Sequence, residues 1–224
     1  MNRKNITKII IDISMLILML LEYSKLYTGQ LVHEVVGIIL FVLFLIHNLL
    51  NISFYKNLLK GKYNISRSFM TVINILFLFC MIFTIMLGIP ISEKVFRFLN
   101  LNGNMTIRML HTILGYWNLI LLAIHLGLHF RMIFSKLINK IKDNKLLKIL
   151  LYIIQLIIVI YGIKTMFDTN LGLYLTGNAS FAIPSNIYLS LFNNLSIILA
   201  ISVIIFQLQK ILLKKEKNRK ENKI

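Results

Sequence analysis

Four of the chain's five histidines fall on one repeated frame. His33 to His47 reads HEVVGIILFVLFLIH and His111 to His125 reads HTILGYWNLILLAIH; both copies are H-x3-G-x9-H, and both sit inside long apolar runs. On a helix, fourteen steps of about 100° bring the second histidine to within roughly 40° of the first, about 21 Å further along the axis. That rise covers most of the ~30 Å hydrocarbon thickness of a bilayer, so each copy carries one histidine near each membrane surface. If the two helices run parallel and face each other, His33 meets His111 at one level and His47 meets His125 at the other. Two facing imidazoles suit the two axial positions of a haem iron. Two such pairs predict two stacked haems and a path for electrons across the membrane.

Other residues in the frame bear on the same chemistry. Gly37 and Gly115 follow the first histidine of each copy by one turn, on its own face, where a side chain would obstruct a porphyrin and glycine lets the backbone approach. Small residues also let membrane helices pack; the identical offset in both copies favours the cofactor reading. His129 lies one turn beyond His125 on the same face. It is an alternative ligand, a whole number of turns from His111, although the interval in the first copy favours His125. The histidine not used would bond a haem propionate or a quinone. Arg108, Arg67 and Arg131 lie near helix ends and could meet propionates, or serve as ordinary interfacial anchors. Tyr116 and Trp117 could pack on a porphyrin or simply on another helix. The chief rival is a transition-metal site, since imidazole also binds zinc or copper. Such a site wants three or four converging ligands, and each level offers two imidazoles, with Glu34 a potential third beside His33. A membrane transporter using the histidines as ion ligands or proton relays is a further alternative. It would favour helices broken near the midplane, whereas these two frames hold no proline.

The elements that must carry these side chains follow from composition. The 224 residues are 58% hydrophobic with mean hydropathy +0.78, outside the range of soluble domains. The net charge of +17 lies in segments between apolar runs rather than in one patch, which argues for membrane topology and against nucleic acid. Cys80 is the single cysteine and no C-x-x-C-H occurs, so any haem is held non-covalently, as in b-type cytochromes. Six transmembrane helices are predicted, over residues 7–23, 31–50, 68–87, 107–130, 149–167 and 187–213, in an all-α polytopic bundle whose first four helices form the haem-binding core. The first run has a basic start, MNRKN, but no small-x-small cleavage site, so it reads as a retained helix. Asp12 inside it is costly in lipid, with Lys8 one turn earlier as its expected partner. A turn at Thr28-Gly29 precedes the second helix, and the third is expected to be scaffold. The segment 131–148 reads as a basic link, 168–186 as a loop marked by Gly172, Gly177 and Pro184, and 214–224 as a disordered basic tail. A 1–135 four-helix domain is therefore followed by two further helices at 136–213.

All but five of the 25 Lys and Arg residues (Lys25, Lys94, Arg97, Arg108 and Lys164) fall on one side of this topology. The positive-inside rule places that side, with both termini, in the cytoplasm of a cell-membrane protein. The second and fourth helices then run parallel, with His33 and His111 outer and His47 and His125 inner.

The stretches ILMLLEYSKLYTGQLVHEVVGI, LFLIHNLLN, FYKNLLKGKY and RMLHTILGYWNLILLAIHLGLH resemble the flavinylation-associated cytochrome family, bacterial membrane b-type cytochromes. The resemblance covers roughly residues 1–135. It implies His33, His47, His111 and His125 as haem ligands, and transfer of electrons through the membrane to an extracytosolic flavin-containing or other redox partner. Bis-histidine ligation leaves no open position on the iron, so such a protein is an electron-transfer subunit rather than a stand-alone enzyme. No Rossmann glycine fingerprint is present, so a quinol or a cytosolic donor must supply the electrons. The loops 91–106 and 168–186 are the expected outer docking surfaces.

Overall fold

The computed structural model describes residues 3–141, 144–178 and 186–221, with the side chains of 3–4, 131–141, 216–217 and 219–221 outside that description. The described residues form helices and connections, with no strand: α1 (Arg3–Glu22), α2 (Lys25–Leu50), α3 (Ile52–Lys56), α4 (Ile65–Gly88), a 3-10 turn (Arg97–Leu99), α5 (Met105–Ile141), α6 (Lys145–Asp168), α7 (Leu171–Thr176) and α8 (Ile187–Glu221).

Five helices are long and apolar enough to cross a membrane: Lys25–Leu50, Ile65–Gly88, Met105–Phe130, Lys145–Asp168 and Ile187–Lys215. Large apolar side chains such as Ile39, Phe79, Ile157 and Phe192 stay exposed along them. Water would penalise such surfaces, and lipid tails cover them. The chain is a multi-pass membrane protein. Helix α1 is long enough at 20 residues but differs in character, because Arg3, Lys4, Lys8, Asp12 and Glu22 distribute charge from end to end.

Several boundaries differ from expectation. Helix α2 breaks at Gly29, whose φ of 83° suits glycine, so its straight part begins where the sequence places it. Helix α5 continues through the basic segment to Ile141, since nothing between Phe130 and Ile141 breaks a helix. Helix α8 likewise runs on through Lys- and Glu-rich sequence to Glu221, where a disordered tail was expected. The short helix α7 occupies part of the 168–186 loop; Pro184 lies outside the described residues.

The chain divides into two compact units. One comprises Met1–Lys62, Ile82–Thr112 and Phe181–Asn194, the other Tyr63–Met81, Ile113–Ser180 and Leu195–Ile224. In the first, α1 and α2 form a tight antiparallel hairpin. Its turn buries Ser24, whose hydroxyl lies 3.3 Å from that of Ser190. The connection after α4 is fastened to α2 by Glu34, whose carboxylate accepts from the Ser92 hydroxyl at 2.7 Å and the backbone amides of Glu93 and Val95 at 2.8 and 2.6 Å. Gly103 lies where an added Cβ would stand 2.5 Å from the Pro90 carbonyl oxygen, so that loop closes only on glycine.

In the second unit Ile73, Cys80, Leu121 and Leu128 form a buried cluster against Phe77, Leu114 and Ile205. Helix α8 meets α5 and α6 through small residues. A Cβ on Gly127 would stand 2.5 Å from the Ser202 carbonyl oxygen, and one on Gly162 would collide with Ala200. That close approach lets the Ser202 hydroxyl donate to the Ala123 carbonyl at 2.8 Å.

Candidate functional site

In the first unit α2 presents His33 and His47 from the hairpin, and the start of α5 presents His111. The rings of His33 and His111 come together with centroids 6.1 Å apart and planes at 85°. A metal–imidazole bond of about 2 Å, plus about 1.1 Å from nitrogen to ring centre, separates two axial rings by roughly 6.2 Å. The centroid spacing alone is of the size that would let both imidazoles hold one metal between them. In the second unit His125 and His129 sit side by side on α5, rings 4.6 Å apart. His47 belongs to the first unit and His125 to the second.

Nδ1 of each framed histidine lies beside an oxygen, and in three of them it is hydrogen-bonded to it. His47 Nδ1 lies 2.7 Å from Asp12 Oδ1. His111 Nδ1 lies 2.9 Å from the Thr84 carbonyl oxygen, and His125 Nδ1 lies 2.9 Å from Asn74 Oδ1. His33 Nδ1 lies 2.6 Å from Glu22 Oε2, a contact that is not aligned as a hydrogen bond. A carbonyl oxygen only accepts, so His111 carries its proton on Nδ1 and keeps a lone pair on Nε2. His47, beside a carboxylate that only accepts, likewise carries a proton on Nδ1. This placement is consistent with the Asn51 amide nitrogen 3.4 Å from His47 Nε2. Fixing Nδ1–H against a carboxylate or carbonyl is how metal-ligating histidines are oriented.

These acceptors correct two expectations. Asp12 pairs with His47 rather than with Lys8, whose ammonium donates to Asn51 Oδ1 at 2.7 Å. The hairpin explains this, because it lays α1 along the α2 face that carries the histidines. Helix α4 is more than scaffold, since it supplies Thr84 and Asn74. Asn74, the lone amide in the apolar run 68–87, was the available signal; Thr84 acts through its backbone, which no side-chain pattern reveals. Gly88, readable in the sequence as part of the Gly88-Ile89-Pro90 stop of the third helix, also makes room for His111: a Cβ there would stand 3.3 Å from His111 Cε1.

The remaining candidates divide. Among the described residues nothing lies within 4 Å of a Cβ added to Gly115, whereas one on Gly37 would meet Glu22 Oε1 at 3.8 Å. That Oε1 is buried and has no hydrogen-bond partner among the described residues. Glu34 is excluded as a third ligand beside His33, because both its oxygens are occupied by the 92–95 backbone, Ser92 and Gln30. Among the described residues no three His, Cys, Asp or Glu side chains are grouped to hold a bare metal ion. Arg108 pairs with Glu93 at 2.9 Å, and Arg67 lies over the Tyr63 ring at 4.2 Å. The Arg131 side chain lies outside the described residues. Tyr116 stacks on Tyr174 with centroids 4.4 Å apart, and the Trp117 indole donates to the Leu175 carbonyl at 3.2 Å, so both aromatics pack against α7. Outside the spanning helices, burial raises the pKa of Tyr55, whose phenol donates to Asn48.

No protein-family model, curated protein or solved structure matches the chain.

Proposed function

We propose that the chain is a transmembrane di-haem b-type cytochrome of the flavinylation-associated kind, an electron-transfer subunit in the cytoplasmic membrane with both termini inside. His33 and His111 would hold one haem, on the outer side; His47 and His125 would hold the other, with His129 the alternative to His125. All six long helices cross in this reading, α1 included, with α1, α2, α4 and α5 forming the haem core. A bis-histidine haem supplies one-electron transfer without oxygen activation. Electrons come from a quinol or a cytosolic donor and leave to an extracytosolic flavin-containing or other redox partner.

The observation that carries the reading is that His47, His111 and His125 each present Nδ1 to a hydrogen-bond acceptor, with Glu22 2.6 Å from Nδ1 of His33, which supports Nε2 as the metal-facing nitrogen. The 6.1 Å spacing of His33 and His111 supports it. The chain's own work would be to fix the tautomers of the ligands and to leave space beside Gly115. The paired carboxylates on α1 give that charged helix a reason to lie against α2, because each finds a partner there.

The test is a reduced-minus-oxidised spectrum of the purified protein with a haem count per chain. A b-type signal near two haems per chain is expected. His33→Ala and His111→Ala should each remove the same haem, and His47→Ala the other. Iron-free protein that takes up zinc stoichiometrically in place of haem would overturn the proposal.

A further inference from the structure

The acceptors behind the four histidines differ in charge from one helix to the other. Those on α2 face carboxylates, Glu22 and Asp12, at 2.6 and 2.7 Å. Those on α5 face uncharged oxygens, the Thr84 carbonyl and the Asn74 amide, both at 2.9 Å. We infer that Glu22 and Asp12 are positioning residues that lower the reduction potentials of the two haems, acting through His33 and His47. The inference rests on the haem reading above.

The physical chemistry has one sign. Where the carboxylate accepts the Nδ1 proton, as Asp12 does from His47, the imidazole becomes a stronger donor through Nε2, which favours oxidised iron; Glu22 acts on His33 through its charge. The negative charge itself also favours the more positive, oxidised form, and hydrogen bonding and charge around the ligand are recognised levers on haem potential. Among the described residues neither carboxylate has another hydrogen-bond partner, although Glu22 also attracts the Lys25 ammonium. Lys8, one turn from Asp12, is engaged by Asn51, and the second oxygen of Glu22 has no hydrogen-bond partner among the described residues. Carboxylates facing an apolar helix are costly unless they act on something.

Burial sets the order of the two effects. The side chains of Glu22 and His33 are 16% and 18% exposed. Those of Asp12 and His47 are 51% and 26% exposed. Solvent screens the second pair more, so Glu22 exerts the larger shift.

Glu22→Gln and Asp12→Asn keep shape and one acceptor oxygen while removing charge. Optical redox titration of the full chain in lipid nanodiscs should find both haems retained in each variant. Glu22→Gln is expected to raise the midpoint of one haem, Asp12→Asn that of the other by less, and the double variant both. Glu22→Asp, which restores the charge, should return the first toward its parental value. A second reading needs no cofactor: in haem-free protein with 15N-labelled histidine, the hydrogen-bonded Nδ1–H resonance of His47 should lie far downfield and move upfield in Asp12→Asn. Should Glu22→Gln fail to fold, Asp12→Asn carries the same test from the half-exposed end. Unchanged midpoints with both haems bound would overturn the tuning and leave the haem assignment standing. A parental protein that binds no haem would end both.

Discussion

Replacing Glu34 separates a structural clamp from a metal ligand. Its carboxylate accepts from Gln30 Nε2 at 2.7 Å, Ser92 Oγ at 2.7 Å, and the backbone amides of Glu93, Lys94 and Val95 at 2.6–3.2 Å. Each hydrogen bond to a charged group contributes about 1.5–3 kcal/mol net, and the set cannot add in full, because the exposed amides recover water when released. Glu34→Ala is therefore expected to cost ~3–5 kcal/mol, at the upper end for single substitutions. Glu34→Gln should cost less, since it keeps one acceptor but turns an amide N–H toward other donors. The assay is hydrogen exchange across residues 90–100 with thermal unfolding in the same detergent. Faster exchange at 92–96 and a lowered Tm are expected from Glu34→Gln, with haem content and spectrum unchanged. A variant that lost bound metal or haem while the 92–96 amides stayed protected would refute the clamp and make Glu34 a ligand.

Three further outcomes can be checked. Gly88→Leu would drive a side chain into His111, whose Cε1 already stands 3.3 Å from the nearest Cβ position, and on the proposed di-haem reading is expected to remove one haem and leave the other. Gly127→Ala would press a methyl to 2.5 Å from the Ser202 carbonyl, forcing α5 and α8 apart at a cost of about 1–3 kcal/mol, read as a lowered Tm with haem retained. The Tyr55 phenol, raised above its ordinary value of 10.0 by burial, holds its proton longer folded than unfolded. Stability should therefore fall as pH rises above about 10, between the unfolded and folded pKa values, and Tyr55→Phe should remove that part of the dependence.

Periodicity was the legible part of this chain. Apolar runs long enough to span a bilayer declare themselves by composition, and the Thr28-Gly29 turn announced the break that α2 makes at Gly29. Helix ends in basic sequence were harder to read. Lysine and arginine mark a membrane surface, yet they are good helix formers, so α5 continues to Ile141 and α8 to Glu221 without a stop signal. The histidine frame was visible as a spacing. Its supporting contacts were not, because they join residues far apart in sequence: Asp12 to His47, Glu22 to His33, Asn74 to His125. Local rules tied Asp12 to Lys8 one turn away, whereas the antiparallel hairpin offered it an imidazole.

The charges on α1 give the site a logic that a count of apolar helices misses. Judged by apolarity alone, α1 is the helix least suited to lipid. Antiparallel pairing converts its two carboxylates into partners for the two α2 histidines at opposite ends of the hairpin. A carboxylate spaced to meet one histidine alone would read as a chance ion pair. Two carboxylates ten residues apart on α1, reaching two histidines fourteen apart on α2, require both helices to keep register over most of their length. The shorter spacing is bridged in part by the longer side chain of Glu22. A one-residue slip would swing both pairs by about 100° and break them together. The hairpin's register and the orientation of the candidate ligands are therefore one structural fact, and a shift in the first should be read out as loss of both sites at once.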